Sequence, residues 1–428
     1  MLTTRKIIIN VLLAIVLIGV TVTSFSCAKK RKLTVMYVKI WADSLNNTFE
    51  GICKEWGKAT GVEVNMVQVS LNDQDTKTAA LIESGTGADL AIFPAHQIAI
   101  YKDRLRDLDD IARELESNYG GFYDIARDMT FLDGHWYGIP LYAWSHLIVY
   151  RKDLLETHNL KPAKTFEDLA SVAKKLNDPK NEIWGLGIGM GKDDDIAMFF
   201  QSLLWAFGGK VFESDGKTVA INSPETRKAL QYLIDLYRQG VIPPGAFGWD
   251  GASNNKNFLA GKIAITANSP TIYYVAKHEN PDMAPKILHT IYPTGPNGTF
   301  CYATGFTFAT LKGNKNTELV KNLIRYIFKR ENYSKLISSG EGSVDPWIRS
   351  FENLEIWKDP NLEPGLRSLD IMKSVGWPGP VTRSAAEVFQ RRILTDILGR
   401  VINDKQSLDK AIEEAENKIK DIVAQYAK

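Results

Sequence analysis

The pattern of hydrophobic and polar residues alternates between strand-like and helix-like stretches in the first part of the chain. Short apolar runs predict strands, and apolar residues at helical spacing predict amphipathic helices. Strand-like runs lie at 33–40, 62–69 and 88–93, and helix-like runs follow them at 45–60, 76–84 and 101–115. Gly61 predicts the end of the first helix. This alternation predicts an α/β fold with a parallel, doubly wound sheet.

The middle of the chain repeats the alternation and predicts a second α/β domain. Thr165 and Asp168 have the spacing of a helix capping box, and the Ser223-Pro224 pair is typical of a helix start. Extended runs lie at 136–150, 184–189, 261–266 and 305–310, and helix-like runs at 197–207, 224–239, 316–329 and 385–426. The absence of a low-complexity linker predicts two domains joined by more than one crossing segment.

The first 26 residues have the order of a secretory signal peptide. Arg5 and Lys6 precede an apolar run at 7–22, and small residues follow before Cys27. A single uncleaved membrane anchor is the alternative, because the run approaches the roughly 18 residues at which a spanning helix becomes possible. We expect the rest of the chain to be exported.

Composition and charge favour a globular protein that binds a neutral partner. The chain has 428 residues, 44% hydrophobic and 24% charged, which is enough for two cores. It has 52 basic and 50 acidic residues, and cleavage before Cys27 would remove Arg5 and Lys6, leaving 50 of each. Nucleic acid binding needs a clustered basic excess, and the one basic cluster, at 29–32, adjoins the expected membrane attachment. We therefore expect no nucleic acid partner.

Cys53 and Cys301 are the cysteines beyond the processing junction. They are far apart in sequence, and a disulfide between them requires a geometry that sequence does not give. We favour two unpaired, buried thiols over a disulfide. Stability would then come from core burial.

Motifs of the common enzyme classes are absent from the sequence. It has no G-x-S-x-G nucleophile elbow, H-E-x-x-H metal motif or G-x-x-x-x-G-K-[ST] phosphate loop. The glycine-rich run at 185–191 leads into three aspartates at 193–195, whose carboxylates would repel phosphate. These aspartates lack the spacing of a calcium loop, which favours a solvated turn or a helix N-terminus. We predict no catalytic residues, no metal and no cofactor.

Aromatic residues in loop contexts are the most informative candidates for ligand contacts. Flat apolar rings stack on the C–H face of a sugar while nearby polar groups bond its hydroxyls. Trp41 follows the first predicted strand and His96 the third, and ligands of open α/β sheets bind at the carboxyl ends of strands. For each aromatic the alternative is packing between loops or domains. The loop aromatics are Trp41, Tyr142, Trp144, Trp249, Tyr273, Tyr302 and Trp377.

The order of several segments resembles extracellular solute-binding proteins of ABC importers, in the group that binds sugars and oligosaccharides. The strongest pieces are I-P-L-Y-A-W-S-H-L-I-V-Y-R-K-D-L at 139–154 and F-L-A-G-K-I-A-I at 258–265. The resemblance runs from about Leu33 to the C-terminus. It implies two α/β lobes around a ligand cleft that closes about a multi-segment hinge. The expected lobes are 33–142 plus 268–335, and 143–267 plus 336–428.

The resemblance also implies a saccharide site in the cleft. Trp144 stands where the family often has a carboxylate, and Tyr273 follows a strand after which many relatives have a glycine and a tryptophan. The identity of the ligand therefore does not transfer. The expected stacking residues are Trp41, Trp249 and Trp377, the hydroxyl-binding residues Asp43, His96 and Gln97, and the further candidates Phe93, Trp144, Asp250, Tyr273 and Tyr302.

Two alternatives to a sugar-binding protein remain open. The same scaffold could bind a polyamine, a phosphorylated sugar or a peptide, and Asp43, Asp250 and Glu341 are carboxylates that would suit a cationic ligand. A different class is an extracytoplasmic glycan hydrolase or lyase, although no acid pair stands in a motif that marks one.

Cys27 resembles the processing site of a lipoprotein, where the cysteine is lipidated and becomes the new N-terminus. Ser26 fits that site, whereas Ser24 stands where an aliphatic residue is usual and Phe25 is bulky. Residues 27–32 would tether the chain to the extracytoplasmic face of the cell membrane, in the periplasm or at the cell surface. The expected partners are a saccharide, an ABC permease and the membrane, with the chain itself a monomer.

Overall fold

The computed structural model describes residues 31–191 and 193–426. The predicted signal peptide and Cys27 lie outside the described residues. The strands are Lys32–Lys39 (β1), Glu63–Ser70 (β2), Leu90–Pro94 (β3), Phe131–Leu132 (β4), His135–Trp136 (β5), Ile139–Ala143 (β6), Leu147–Arg151 (β7), Trp184–Leu186 (β8), Ile263–Asn268 (β9), Ile287–Thr290 (β10), Cys301–Tyr302 (β11), Gly305–Ala309 (β12) and Met372–Lys373 (β13).

The helices cover the faces of the two main sheets. They are Asp43–Thr60 (α1), Gln74–Ser84 (α2), Gln97–Tyr101 (α3), Asp109–Tyr119 (α4), Asp124–Thr130 (α5), Lys152–Thr157 (α6), Phe166–Leu176 (α7), Asp194–Ala206 (α8), Pro224–Arg238 (α9), Ser253–Leu259 (α10), Thr271–Glu279 (α11), Thr317–Ile327 (α12), Arg330–Ser339 (α13), Glu363–Ile371 (α14), Arg383–Gln390 (α15), Ile393–Ile402 (α16) and Leu408–Tyr426 (α17).

The first lobe is built on a five-stranded sheet in the order β2-β1-β3-β12-β6. β1 runs parallel to β2, from Lys32 opposite Glu63 to Lys39 opposite Ser70, and parallel to β3. β12 runs antiparallel to both of its neighbours, so the sheet is mixed rather than wholly parallel as predicted. Its direction differs because β12 returns from the second lobe instead of following a β-α-β crossover.

The second lobe is built on a four-stranded sheet in the order β10-β7-β9-β8. β7 is antiparallel to both of its neighbours, and only β8 and β9 are parallel among these pairs. The expected first lobe included residues 268–335, but β10 hydrogen-bonds to β7 in this sheet. The pairing therefore places 268–302 with the second lobe, and the chain returns to the first sheet at β12. Helix α13, expected to lie at the boundary, packs on α1 of the first lobe.

Local sequence signals explain several helix boundaries. In α1 the residues Phe49, Ile52 and Trp56 are buried as their spacing predicted. This helix ends at Gly61, whose φ of 69° is the left-handed conformation that glycine adopts readily. The Thr165 capping box with Asp168 is confirmed at the start of α7. Cys53 and Cys301 are both buried and unpaired, which confirms the interpretation favoured from the sequence.

Three chain segments cross between the lobes and hydrogen-bond to one another. Ala143 and Asp345 exchange backbone N–H···O bonds of 2.8 and 3.0 Å, and the N–H of Trp144 donates to the carbonyl of Thr304 at 3.0 Å. The Asp345 side chain is fully buried here, and its Oδ2 accepts from the N–H of Ser145 at 3.2 Å. These crossings form the multi-segment hinge that the resemblance implied.

Candidate ligand-binding cleft

A cavity of about 690 Å³ lies between the two lobes, a size within the usual range for small-molecule sites. The first lobe contributes the segments after β2 and β3, at the carboxyl ends of parallel strands. Residues of the hinge also line the cavity. The lining residues are Leu71, Asn72, Gln74, Asp75, Pro94 and His96 from the first lobe, Trp144, Thr304 and Phe306 from the hinge, and Met190, Gly191, Asp193, Asp194, Asp195, Met198, Phe247, Gly248, Trp249, Asp250, Gly251, Phe389, Arg392, Thr395, Asp396, Gly399 and Asn403 from the second lobe.

Aromatic rings form the apolar part of the cavity wall. Trp144 packs beside Phe306, with 5.8 Å between ring centroids, and Trp249 lies in the loop before α10. The Nε1 of Trp144 is buried without a hydrogen-bond partner among the described residues. A ligand with C–H faces and hydroxyls could stack on these rings and accept from that N–H. Of the predicted aromatics, Trp144 and Trp249 line this cavity.

The three aspartates at 193–195 line the cavity at the start of α8. Asp193 caps this helix by accepting from the N–H of Ile196 at 3.0 Å, which confirms the predicted helix N-terminus. The turn is not simply solvated, because burial, together with the neighbouring Asp195, raises the pKa of Asp193 to about 7. Asp195 is held by Asn254 at 2.7 Å and Asn268 at 3.2 Å, both donating through Nδ2.

The glycine-rich run before these aspartates has a packing role. A Cβ at Gly185 would overlap the backbone of Ala173, and a Cβ at Gly189 would overlap the Asp193 carboxylate. The run therefore allows β8 to pack against α7 and brings Asp193 close to the backbone. This explains its glycines without a bound phosphate.

Arg392 provides a guanidinium at the cavity and was not identified from the sequence. It stands before α16 with φ of 55°, its Nη1 donates to the carbonyl of Phe389 at 2.7 Å, and its Nη2 forms an ion pair with Asp194. Burial lowers the pKa of Arg392, while Asp75 and Asp193 oppose that shift. The group stays cationic because arginine is not deprotonated in proteins.

His96, Gln97 and Asp75 form the polar wall of the first lobe. His96 packs edge-on against Phe389 of the second lobe at 5.1 Å, and burial together with Arg392 lowers its pKa to about 3, so the imidazole is neutral. Gln97 is buried behind the cavity and donates from Nε2 to Asp75 Oδ1 at 2.6 Å. Burial raises the pKa of Asp75, and Arg392 and Gln97 counteract it. Of the two predicted residues, His96 lines the cavity and Gln97 does not, and the carboxylate of Asp75, to which Gln97 donates, was not predicted from the sequence.

Asp250 is the remaining predicted residue in the cavity lining. Its Oδ1 accepts from Ser253 Oγ at 2.7 Å and from the N–H of Ala252 at 3.1 Å, and these bonds help to keep its pKa below the usual range. The carboxylate therefore stays ionised at neutral pH.

Three predicted residues near the first sheet lie outside the cavity lining. Trp41 is 43% exposed, and Asp43 is exposed and forms an ion pair with Lys39 at 3.1 Å. Phe93 is buried in the smaller hydrophobic cluster of the first lobe.

The other predicted aromatics of the second lobe also lie outside the cavity lining. Tyr302 stacks on Phe389 at 4.4 Å, behind the cavity wall. Trp377 packs edge-on against Trp205 at 5.9 Å and lines a separate cavity of about 300 Å³. Tyr273 donates to Asp359 Oδ2 at 3.1 Å. The sequence signal for these rings came from loop composition, which does not distinguish packing from ligand contact.

The described residues offer neither an evident metal site nor a membrane span. Within 31–191 and 193–426, no cluster of His, Cys, Asp and Glu side chains is arranged to hold a metal ion. No helix in these ranges combines the length and apolarity needed to cross a bilayer.

Two lobes, a crossing hinge and a polar, aromatic cleft between them define a class of cleft-closing binding proteins. The chain belongs to the bacterial extracellular solute-binding protein family, which residues 42–333 match. It is 25% identical over 383 residues to YcjN of Escherichia coli (strain K12), covering 86% of each chain. It is 26% identical over 310 residues, 69% of each chain, to the maltodextrin-binding protein MdxE of Bacillus subtilis (strain 168).

The fold is also similar to that of solved binding proteins. An ABC transporter solute-binding protein from Thermotoga lettingae TMO, bound with α-D-tagatose, superposes with a TM-score of 0.81. The identity is 20%, and the match covers 92% of this chain and 100% of that one. The two-lobed fold is therefore confirmed, and the family places the chain among extracytoplasmic binding proteins.

Proposed function

We propose that this chain captures a sugar or oligosaccharide in the cleft between its lobes and delivers it to an ABC importer. The observation that carries the proposal is the joint presence of Trp144, Trp249 and a group of carboxylates in one interlobe cavity. Rings of this kind stack on sugar C–H faces, and carboxylates accept from hydroxyls. Similar proteins are named for maltodextrin or hold tagatose, which supports the same ligand class.

Contacts between the lobes support capture by closure. Ser44 Oγ at the start of α1 lies 2.9 Å from Tyr274 Oη in α11 of the second lobe. Glu341, which follows α13, forms an ion pair with Lys277 at 2.5 Å and a hydrogen bond with His278 at 2.8 Å, and both partners lie in α11. These contacts join the two lobes in this arrangement, and a ligand that bridges the cleft would stabilise the same arrangement.

The ligand class is tested by titrating intrinsic fluorescence against a panel of saccharides, polyamines and peptides. We expect a saturable change with at least one saccharide, because two tryptophans line the cavity. A saturable response to polyamines or peptides, with none to any saccharide, would refute the proposed ligand class. Incubation of the bound saccharide with the protein should leave it chemically unchanged, since we propose binding without catalysis.

Replacing Trp249 with alanine is expected to weaken saccharide binding by about tenfold or more, because the lost ring removes apolar contact area and a stacking face. Isothermal titration calorimetry measures the affinity, and thermal unfolding checks the fold. Trp377→Ala and Trp41→Ala are matched controls, since neither tryptophan lines the cavity. An unchanged affinity, or a variant that fails to fold, would assign Trp249 to packing instead.

We further propose that a lipid on Cys27 anchors the chain beside its permease. Changing Cys27 to serine is expected to release the protein from the membrane fraction or leave its precursor uncleaved. Metabolic labelling with a fatty acid, followed by fractionation, measures both outcomes. Lipid labelling that persists in the Cys27→Ser variant would contradict the anchor.

A further inference from the structure

The charge of the cleft cavity is one-sided. Six aspartates line it among the described residues, whereas Arg392 is the guanidinium there and His96 is neutral. Asp396 also pairs with Arg400 at 3.0 Å and with Lys418 at 3.3 Å, and Asp193, whose pKa is about 7, is only partly ionised at neutral pH. Lys192 lies outside the described residues, and counting it as another cation would still leave more carboxylates than cations at the cavity. An anionic ligand would therefore enter the cavity against an excess of like charge.

The charge of the Arg392 guanidinium is already opposed by carboxylates of the protein. Its Nη2 pairs with Asp194, and its Nη1 donates to the carbonyl of Phe389 at 2.7 Å. The Nε is buried and has no partner among the described residues. The Nε–H and the second N–H of each Nη remain for other partners, so the limit on an anionic ligand comes from charge: Asp194 already pairs with the guanidinium, and Asp75 and Asp193 also face it.

Two carboxylates on opposite sides of the cavity keep acceptor capacity. Asp75 of the first lobe accepts through Oδ1 from Gln97, which leaves Oδ2 for a ligand. Asp195 of the second lobe accepts through Oδ2 from Asn254 and Asn268. Its Oδ1, which lies 3.5 Å from His146 Nε2, accepts no hydrogen bond among the described residues. An ionised carboxylate only accepts hydrogen bonds, so both groups require donors on the ligand.

Gln74 adds a buried acceptor to the same wall. It lines the cavity and is 3% exposed, and its Nε2 donates to Thr78 at 2.7 Å and to the carbonyl of Ile92 at 3.3 Å. Its Oε1 has no partner among the described residues. A buried acceptor without a donor is costly, and a hydroxyl of the ligand would satisfy it.

We propose that the cleft selects uncharged, hydroxyl-rich saccharides and rejects those that carry a carboxylate or phosphate, with Asp75 and Asp195 as the residues that set this charge selectivity. The inference rests on the proposed function, because it concerns the ligand of the same cavity. The ligand supplies hydroxyl donors to carboxylates from both lobes and so connects them across the cleft.

The test uses saccharide pairs that differ in one charged group: D-glucose with D-glucuronate, D-galactose with D-galacturonate, and maltose with maltose 6′-phosphate. Calorimetry measures both members of each pair at pH 7.5 in low salt. We expect every neutral sugar that binds to have an affinity at least about tenfold higher than that of its anionic partner. This affinity ratio should become smaller in 0.5 M NaCl, because salt screens charge.

Two variants test whether Asp75 and Asp195 set the charge selectivity. Asp75→Asn and Asp195→Asn keep the size of each side chain but remove its charge. Each is expected to lower the ratio of neutral to anionic sugar affinity within a pair severalfold. Asp421→Asn is the matched control, because Asp421 is exposed on α17, and it should leave this affinity ratio unchanged. Equal or tighter binding of an anionic sugar by the unmodified protein would overturn the charge selectivity while leaving the saccharide function standing. If neutral and anionic saccharides alike fail to bind, the proposed function fails with it.

Discussion

Replacing Arg392 with methionine is expected to lower the free energy of unfolding by about 3 kcal/mol at pH 7, because the partly buried carboxylates of Asp75 and Asp193 would lose the buried cation that offsets their charge. Arg392 faces Asp75, Asp193 and Asp194 at the cavity wall. Without the guanidinium, the pKa values of Asp75 and Asp193 should rise further. Urea unfolding at several pH values measures the loss.

The pH dependence separates charge from packing in this variant. The carboxylates near residue 392 cost stability only when they are ionised, so the loss should shrink as the pH is lowered from 8 to 5. Arg391→Met is the matched control, since Arg391 is half exposed and pairs with Glu387 at 2.8 Å on the helix surface, where such pairs contribute little. A loss of equal size at pH 5 and pH 8 would mean that Arg392 acts through packing alone.

The position of Arg392 at the cavity could not be predicted from the sequence. The C-terminal part of the chain has clear helical spacing, and the structure does contain three helices there, α15, α16 and α17. A tandem arginine in such a stretch is typical of a solvated helix surface. Only the turn between α15 and α16, with Arg392 at positive φ, directs this side chain to the cavity, and no local pattern predicts it.

More of the fold than of the site could be predicted from the sequence, because most of the fold depends on local sequence patterns. Strand and helix periods are local, so α1 with its buried face and the β1-β2-β3 group follow from short windows. The placement of β10 and the direction of β12 depend on which lobe the chain occupies after a crossing, which is a long-range property. The expected lobe boundary at 268 therefore differed from the strand pairing.

Some residues of the cleft can be predicted from local sequence patterns, and others depend on long-range contacts between the lobes. His96 and Asp250 follow from strand-end and loop position, whereas Asp75 and the aspartates at 193–195 become cavity groups only when the two lobes meet. Their sequence context, polar and close to helix starts, is equally typical of solvated surface. Burial, visible only in the structure, raises the pKa of Asp193 and distinguishes a cavity carboxylate from a surface one.

Asp345→Asn is expected to stabilise the protein by about 3 kcal/mol at pH 8 and to have little effect near pH 4. Asp345 is fully buried in the hinge, and this burial raises its pKa from 3.8 to about 7 although Ser145 donates to it. Between these two values the folded protein holds a proton that the unfolded chain has released. Stability therefore falls as the pH rises through this range, and above pH 7 the hinge contains a buried carboxylate with its full desolvation cost.

Asparagine removes that cost while keeping the acceptor for the N–H of Ser145. Comparing thermal and urea unfolding of the two proteins at pH 4, 6 and 8 isolates the contribution of Asp345, since the other carboxylates are common to both. Asp421→Asn, which changes a carboxylate on an exposed helix face, should show no such trend. A stability difference that does not change with pH would mean that the shape of residue 345, and not its charge, governs the hinge. A difference that grows with pH would show that the crossing segments carry an ionisation cost near neutral pH, at the point where the lobes must move to capture a ligand.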